Sequence, residues 1–433
     1  MLKIYNTESR KIEVFKPIND KMVTIYVCGP TVYSNIHIGN ARPVIFFDMV
    51  KNYLLYKGYQ VNYVSNITDV DDKIIEEAKR LNISESELTT EFTNAFIDAS
   101  LKVGSKLPDF MPKATNYIVE MIKYISELIS SGYAYATKSG VYFRTKKIDN
   151  YGSISNQKLD ELEASVRIEN KSDKEDFRDF TLWKNTTEGL SFESPWGVGR
   201  PGWHTECAVM NHEIFDGTID IHGGGSDLIF PHHENENAQT LAHSNYNLAN
   251  YWMHVGRLDL DNTKMSKSLG NTVLVKDLLD PISFRLLILA HNYRNPINYS
   301  NELLEEFSNM YDRIVRTIKR TLIRINMSDE TDLINDELMD MFNKHMDDDF
   351  NTPNVVTLIL DIIKDLNKPN NDKETNMLYN TLINILNVLG INPNITLSND
   401  IIELHSKWNE ARSNKDYALA DLYRNELTEK GWI

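Results

Sequence analysis

Cysteine is scarce in this sequence: Cys28 and Cys207 are the only two in 433 residues. That is too few for a disulfide framework, so a reducing cytoplasm is the expected location. No apolar run reaches membrane-spanning length, and the opening Met1-Leu2-Lys3-Ile4-Tyr5-Asn6 lacks the basic flank and apolar stretch of a secretory signal. Positive charge is short as well. A formal net charge of −16 excludes a protein that holds nucleic acid by bulk attraction, so any RNA contact must come from local basic stripes or from shape. Internal repeats and extended low-complexity segments are also missing, which excludes solenoid and array architectures.

What is present is an α/β pattern followed by helices. Met22 to Val27 reads as a strand, Cys28 to Asn40 as a loop, and Pro43 as part of the first turn of a helix whose Val44, Phe47, Val50 and Leu54 keep helical spacing up to Gly58. Val61 to Val64 restarts an extended segment, so a doubly wound parallel sheet with ligands at the carboxyl ends of its strands is expected. Helices are expected from Glu76 to Tyr135, broken near Leu107 to Pro112, and the segment Lys138 to Trp203 reads as irregular. A strand at Ile219 to His222, a glycine turn at Gly223-Gly224-Gly225 and a helix opening near Pro231 resume the sheet. After Ser300, a candidate N-cap, Leu303, Phe307, Met310, Ile314 and Ile318 recur at helical spacing, with later breaks at Lys368 to Asn371 and Asn392 to Asn394. The expected division is 1–115 for the first half of a Rossmann-type domain, 116–200 for a connective insertion, 201–300 for the second half and 301–433 for an all-α domain.

The scarce cysteines sit in dense polar surroundings. Cys28 opens Cys28-Gly29-Pro30-Thr31, and Cys207 closes Trp203-His204-Thr205-Glu206-Cys207, shortly before His232-His233-Glu234-Asn235-Glu236. Two thiols with a His and a Glu at i and i+4 on one helix suit a zinc site; two inert buried cysteines beside a charged helix face are the alternative. His233 and Glu234 are expected to point elsewhere on that helix.

Two further motifs suit a nucleotide. The loop Pro30 to Asn40 joins a strand to a helix N-terminus, where backbone N–H groups favour phosphate, His37 adds a donor and Gly39 permits close approach. Lys264-Met265-Ser266-Lys267-Ser268 offers two lysines as point charges for a leaving pyrophosphate.

These paired motifs resemble those of class I aminoacyl-tRNA synthetases. The blocks Cys28 to Tyr33, Gly199 to Cys207 and His222 to Glu236 narrow the resemblance to the cysteinyl family, over about residues 20 to 300, with Asp347 to Pro353 and Ala411-Arg412 matching in the helical tail. Asn40 stands where the general motif has a second His. The resemblance implies one Zn²⁺ per chain on Cys28, Cys207, His232 and Glu236. It also implies ATP, as its Mg²⁺ complex, bound by Pro30, His37, Gly39, Asn40, Gly223, Gly224, Gly225, Asp227 and Lys267, with His37, Asn40, Lys264 and Lys267 catalytic and Thr31, Thr68 and Trp203 in the amino-acid pocket. The implied partners are cysteine, ATP and tRNA(Cys), the last bound by residues 301–433. A monomer without membrane contact is expected.

Arg313, Arg316, Arg320 and Arg324 lie along one helical face, as a phosphate rail or as solvated surface, and Trp408 or Trp432 is available to stack on a base. Two other functions fit parts of the pattern: a ligase joining cysteine to a small amine, which needs no helical tail, and a zinc-stabilised RNA-binding protein without catalysis, which leaves Lys264 to Ser268 unexplained.

Overall fold

The computed structural model describes residues 1–157, 173–260, 263–265, 271–325 and 333–432. They form two compact units, Met1–Leu278 with Tyr293–Asn298, and Leu279–Asn292 with Tyr299–Ile433. The second unit thus takes in the helix Pro281–Leu289, which the sequence-based division left with the sheet.

In the first unit, β1 (Lys3–Asn6) and β2 (Lys11–Val14) form an antiparallel hairpin. The main sheet contains β3 (Met22–Val27), β4 (Gln60–Ser65), β9 (Ile219–Gly225) and β10 (Ala249–Val255), all parallel, in the order β10-β9-β3-β4. Its strands are rich in β-branched and aromatic residues and are mostly buried, as strands covered on both faces are. Successive strands run outward to one side from β3 and to the other from β9. The switch point between them therefore lies where Cys28 leaves β3, with Cys28 N donating to Gly223 O at 3.1 Å.

Three local expectations are corrected. The helix α1 spans Ile38–Tyr56 and starts before Pro43, which falls inside it, because His37 supplies the cap: its Nδ1 accepts from Gly39 N at 3.1 Å and Asn40 Oδ1 accepts from His37 N at 3.3 Å. The glycines 223 to 225 end strand β9 instead of forming a turn. At Gly223 a Cβ would lie 2.1 Å from the Phe47 ring, so this glycine admits α1 onto the sheet. The segment after Lys138 is not irregular throughout: β5 (Ala134–Ala136), β6 (Gly140–Phe143), β7 (Phe180–Asn185) and β8 (Gly199–Pro201) make an antiparallel sheet in that order. Its core packs Val141, Phe143, Leu182 and Trp183 against Met121, Ile125 and Leu128 of the helix Ile118–Ser130.

The second unit is helical. Asn301–Ile325 follows Ser300, whose Oγ accepts from Leu303 N at 3.2 Å, and further helices span Asp336–Met346, Thr352–Leu366 and Asp372–Leu389. The last stretch forms two helices, Asn399–Ser413 and Tyr417–Glu429, because Lys415 turns the chain at φ 59°. Buried Arg285 donates Nε to Leu389 O at 2.7 Å beneath Gly390, whose φ of 66° ends its helix. Among the described residues no helix is long and apolar enough to cross a membrane.

One buried carboxylate ties the two central strands of the main sheet together. Asp220 accepts from Ile18 N at 2.6 Å, Thr24 N at 2.8 Å and Thr24 Oγ1 at 2.9 Å. Asp220→Ala leaves these donors unsatisfied and is expected to lower unfolding stability by about 2–4 kcal/mol in urea denaturation.

Candidate active site

Four donors meet at the switch point. Cys28 comes from the end of β3, Cys207 from α5 (Trp203–Phe215), His232 from a wide turn at Ile229–His233, and Glu236 from α6 (Glu234–Ser244). Their ligand atoms all lie within 4.8 Å of one another. Cys28 Sγ is 3.7 Å from Cys207 Sγ and 3.3 Å from Glu236 Oε1. His232 Nε2 is 2.9 Å from Glu236 Oε1 but has no acceptor in its hydrogen-bonding direction, an orphaned buried atom of the kind a metal would take.

The outer atoms of these donors are tied down. His204 Nδ1 lies 2.9 Å from His232 Nδ1, which leaves Nε2 to face the sulfurs, and His222 Nε2 lies 2.8 Å from Glu236 Oε2, which leaves Oε1 facing inward. A metal-binding His held through its second nitrogen and a carboxylate held through its second oxygen are the usual outer partners of such a centre. With two sulfurs, an imidazole and a carboxylate, the set suits Zn²⁺.

Sequence reasoning set His233 aside, and the structure does not. His233 Nε2 lies 3.3 Å from Cys28 Sγ, and Cys28, His222, His233 and Glu236 form a second, overlapping group within 4.8 Å. The wide turn before α6 swings His233 inward, because the regular helix begins only at Glu234. Glu234 does point elsewhere: it accepts from Gly152 N at 2.8 Å and Ser155 N at 3.0 Å, anchoring the insertion. His204, His222, His254 and Asn66 were also missed, since their partners lie far away in sequence.

Electrostatics follow from burial. Burial pushes the Cys28 thiol well up, while a hydrogen bond from Cys28 outweighs burial at Cys207 and lowers it to about 6. Burial disfavours charge on both His232 and Glu236, yet their mutual attraction wins: the imidazole rises to about 10, and Glu236, which His222 also supports, falls well below the carboxylate range. Burial lowers His204 and His254 to about 3 each, so both rings are neutral.

The amino-acid candidates adjoin this centre. Thr31 and Thr68 are bridged across neighbouring segments, with Thr68 N donating to Pro30 O at 3.1 Å. The Thr68 hydroxyl is engaged, donating to buried Glu206 at 2.9 Å and accepting from Asn66 Nδ2 at 3.2 Å. Trp203, 41% exposed, stacks on His232 at 4.2 Å. Gly29 passes so close to Asn66 O that a Cβ there would stand 1.6 Å from it.

Of the nucleotide candidates, the structure brings the two motif regions side by side. Ile38 N donates to Val273 O at 2.9 Å, Val275 N donates to Ile36 O at 3.1 Å, and a Cβ at Gly39 would lie 3.3 Å from the Met265 methyl. Buried Arg42 fastens α1 to the segment before Lys264, donating Nη1 to Gly256 O and Arg257 O at 2.7 and 2.9 Å. Lys264 ends the strand Thr263–Lys264; Lys267 lies outside the described residues. Asp227 is exposed in a short turn after β9.

The RNA candidates divide. Arg313, Arg316 and Arg320 are exposed, whereas Arg324 is committed to Asn370 O. Arg320, His405, Trp408, Arg412 and Arg424 line a cavity of about 680 Å³ in the helical unit, but Trp432 is buried in a core with Ile323 and Leu427 and is not available to a base.

Residues 14–309 match the family of tRNA synthetases class I (C) catalytic domains, and residues 341–392 match the DALR domain. A cysteine–tRNA ligase of Acholeplasma laidlawii is 56% identical over the whole of both chains, and one of Staphylococcus carnosus is 45% identical over 100% of this chain and 97% of its own. The chain belongs to the cysteine–tRNA ligase family. Solved structures share the fold at low identity: Mycobacterium tuberculosis methionyl-tRNA synthetase with methionyl-adenylate has a TM-score of 0.62 at 14% identity, covering 86% of this chain and 90% of that one. An Agrobacterium radiobacter leucyl enzyme in complex with tRNA has a TM-score of 0.64 at 10%, covering 87% and 86%. The α/β fold with a helical second domain is thus a class I synthetase fold.

Metal uptake should show the site's charge state. Protons on Cys28 and His232 must leave before the sulfur and the imidazole can ligate, and both are held more tightly than in water. Zinc affinity measured by calorimetry with a competing chelator is therefore expected to rise steadily between pH 6 and pH 9; a flat profile contradicts this donor set.

Proposed function

We propose that this chain is a cysteine–tRNA ligase that activates cysteine with ATP and transfers it to the 3′ end of tRNA(Cys), working in the cytoplasm as a monomer. The observation that carries the proposal is the convergence of Cys28, Cys207, His232 and Glu236 beside Thr31, Thr68 and Trp203 at the switch point. The chemistry explains why such a site serves cysteine. Cysteine and serine are near-isosteres that a shaped pocket separates by only about 1–3 kcal/mol. Zinc, held by these four residues, would bind the substrate sulfur as a thiolate and leave the serine hydroxyl a weak neutral ligand.

The remaining roles belong to the chain's own groups. Trp203 and the Thr31–Thr68 bridge would wall the amino acid so that its carboxylate faces the α-phosphate of ATP, bound as its Mg²⁺ complex, for in-line attack. His37 Nδ1 accepts from Gly39 N, so a neutral ring carries its proton on Nε2 and can donate it to a phosphate oxygen. The N-terminus of α1, capped through Asn40, adds the helix dipole, and Lys264 and Lys267 would stabilise the pyrophosphate as it leaves. Pro30, Gly39 and the end of β9 at Gly223, Gly224 and Gly225, with Asp227, would accommodate the adenosine. The DALR match in the helical unit favours tRNA as acceptor over a small amine.

The test is ATP–pyrophosphate exchange followed by charging. Cysteine is expected to drive exchange and serine to be nearly silent, with transfer to tRNA(Cys). Exchange without transfer would point to a small-molecule acceptor, and absence of exchange would refute the ligase.

A further inference from the structure

We propose that Thr7 and His254 are positioning residues for Cys28, acting through His233 in a hydrogen-bonded chain that ends as an N–H donor to the Cys28 sulfur. The inference rests on the metal-site reading above. Thr7 Oγ1 lies 2.8 Å from His254 Nδ1, His254 Nε2 lies 2.8 Å from His233 Nδ1, and His233 Nε2 lies 3.3 Å from Cys28 Sγ. Both rings are buried, and His254 sits in β10 while His233 precedes α6. Thr7 is fixed by its own N–H, which donates to Trp252 O at 2.9 Å, and by the hairpin that ends beside it.

Counting hydrogens sets the direction of the chain. A neutral imidazole has one N–H and one acceptor nitrogen. A Cys28 thiolate has no proton to give, so His233 Nε2 must donate to it. His233 Nδ1 can then only accept, which makes His254 Nε2 the donor. His254 Nδ1 accepts in turn, and the Thr7 hydroxyl supplies the hydrogen. With a thiolate at Cys28 and both rings neutral, no other placement satisfies all three contacts.

The two sulfurs are thereby made unequal. Cys207 Sγ faces Asn66 Oδ1 at 3.7 Å, an acceptor that has nothing to donate to a thiolate. Two thiolates and a carboxylate already exceed the charge of a divalent ion, and a substrate thiolate adds to the excess in a buried place. A hydrogen bond drawn to Cys28 withdraws density from that sulfur and leaves the centre a better acceptor for an incoming one. This gives the N-terminal hairpin a function at the site, although no motif marks it.

The test uses the full-length chain loaded with Co²⁺, comparing wild type with His254→Phe and Thr7→Val. Loss of the hydrogen bond raises the sulfur lone pairs in energy, so the sulfur-to-cobalt charge-transfer band is expected to move to longer wavelength in both variants. With Zn²⁺, the KM for cysteine in pyrophosphate exchange should rise roughly tenfold in His254→Phe, and less in Thr7→Val, with the KM for ATP unchanged. Thr7→Val keeps the side-chain shape and both rings, so it reads the hydrogen bond even if His254→Phe folds poorly. A band and a cysteine KM that stay at wild-type values in metal-loaded Thr7→Val and folded His254→Phe would overturn the proposal. A wild-type chain that takes up no metal would instead overturn the metal reading itself, and this inference with it.

Discussion

Two sulfur atoms 3.7 Å apart, enclosed with a carboxylate and an imidazole, are a combination that no apolar core tolerates without compensation. Part of the compensation comes from protons: burial pushes the Cys28 thiol well up, and Glu236 raises the buried His232 imidazole. A divalent cation bound among these donors would take the place of those protons. The outer ring of His204, His222, His233 and His254 then reads as a scaffold that keeps each donor atom turned inward.

The fold brings these groups together by ending strands and starting helices at one switch point. Cys28 leaves β3 beside β9, α5 opens at Gly202 to deliver Trp203 and Cys207, and the turn before α6 delivers His232 and His233. Arg42 and the pairing of Ile36 and Ile38 with Val273 and Val275 hold the His37 loop next to the segment that bears Met265. The sulfur-bearing donors and the His37 loop are thus built on one frame.

The parts of this that could be read from the sequence are those written in local spacing. Met22 to Val27 is a strand because its residues are β-prone and bounded by a polar loop, and the four-residue spacing of His232 and Glu236 marks a pair that the wide turn before α6 still brings to 2.9 Å. What could not be read depends on distant partners. No spacing relates Thr7, His233 and His254, and a histidine N-cap carries no familiar sequence signal, so α1 was placed too late. The insertion sheet was missed because its strands are only three to six residues long and are separated by charged loops. The helical unit was legible in outline from its apolar repeat, but the burial of Trp432 was not.

The central claim is that the metal centre reads the substrate by its sulfur. X-ray absorption at the zinc edge counts sulfur neighbours directly. The account predicts two sulfurs at about 2.3 Å in the free protein, from Cys28 and Cys207, a third when cysteine is added, and no change with serine. A sulfur count that is the same with and without cysteine would contradict it.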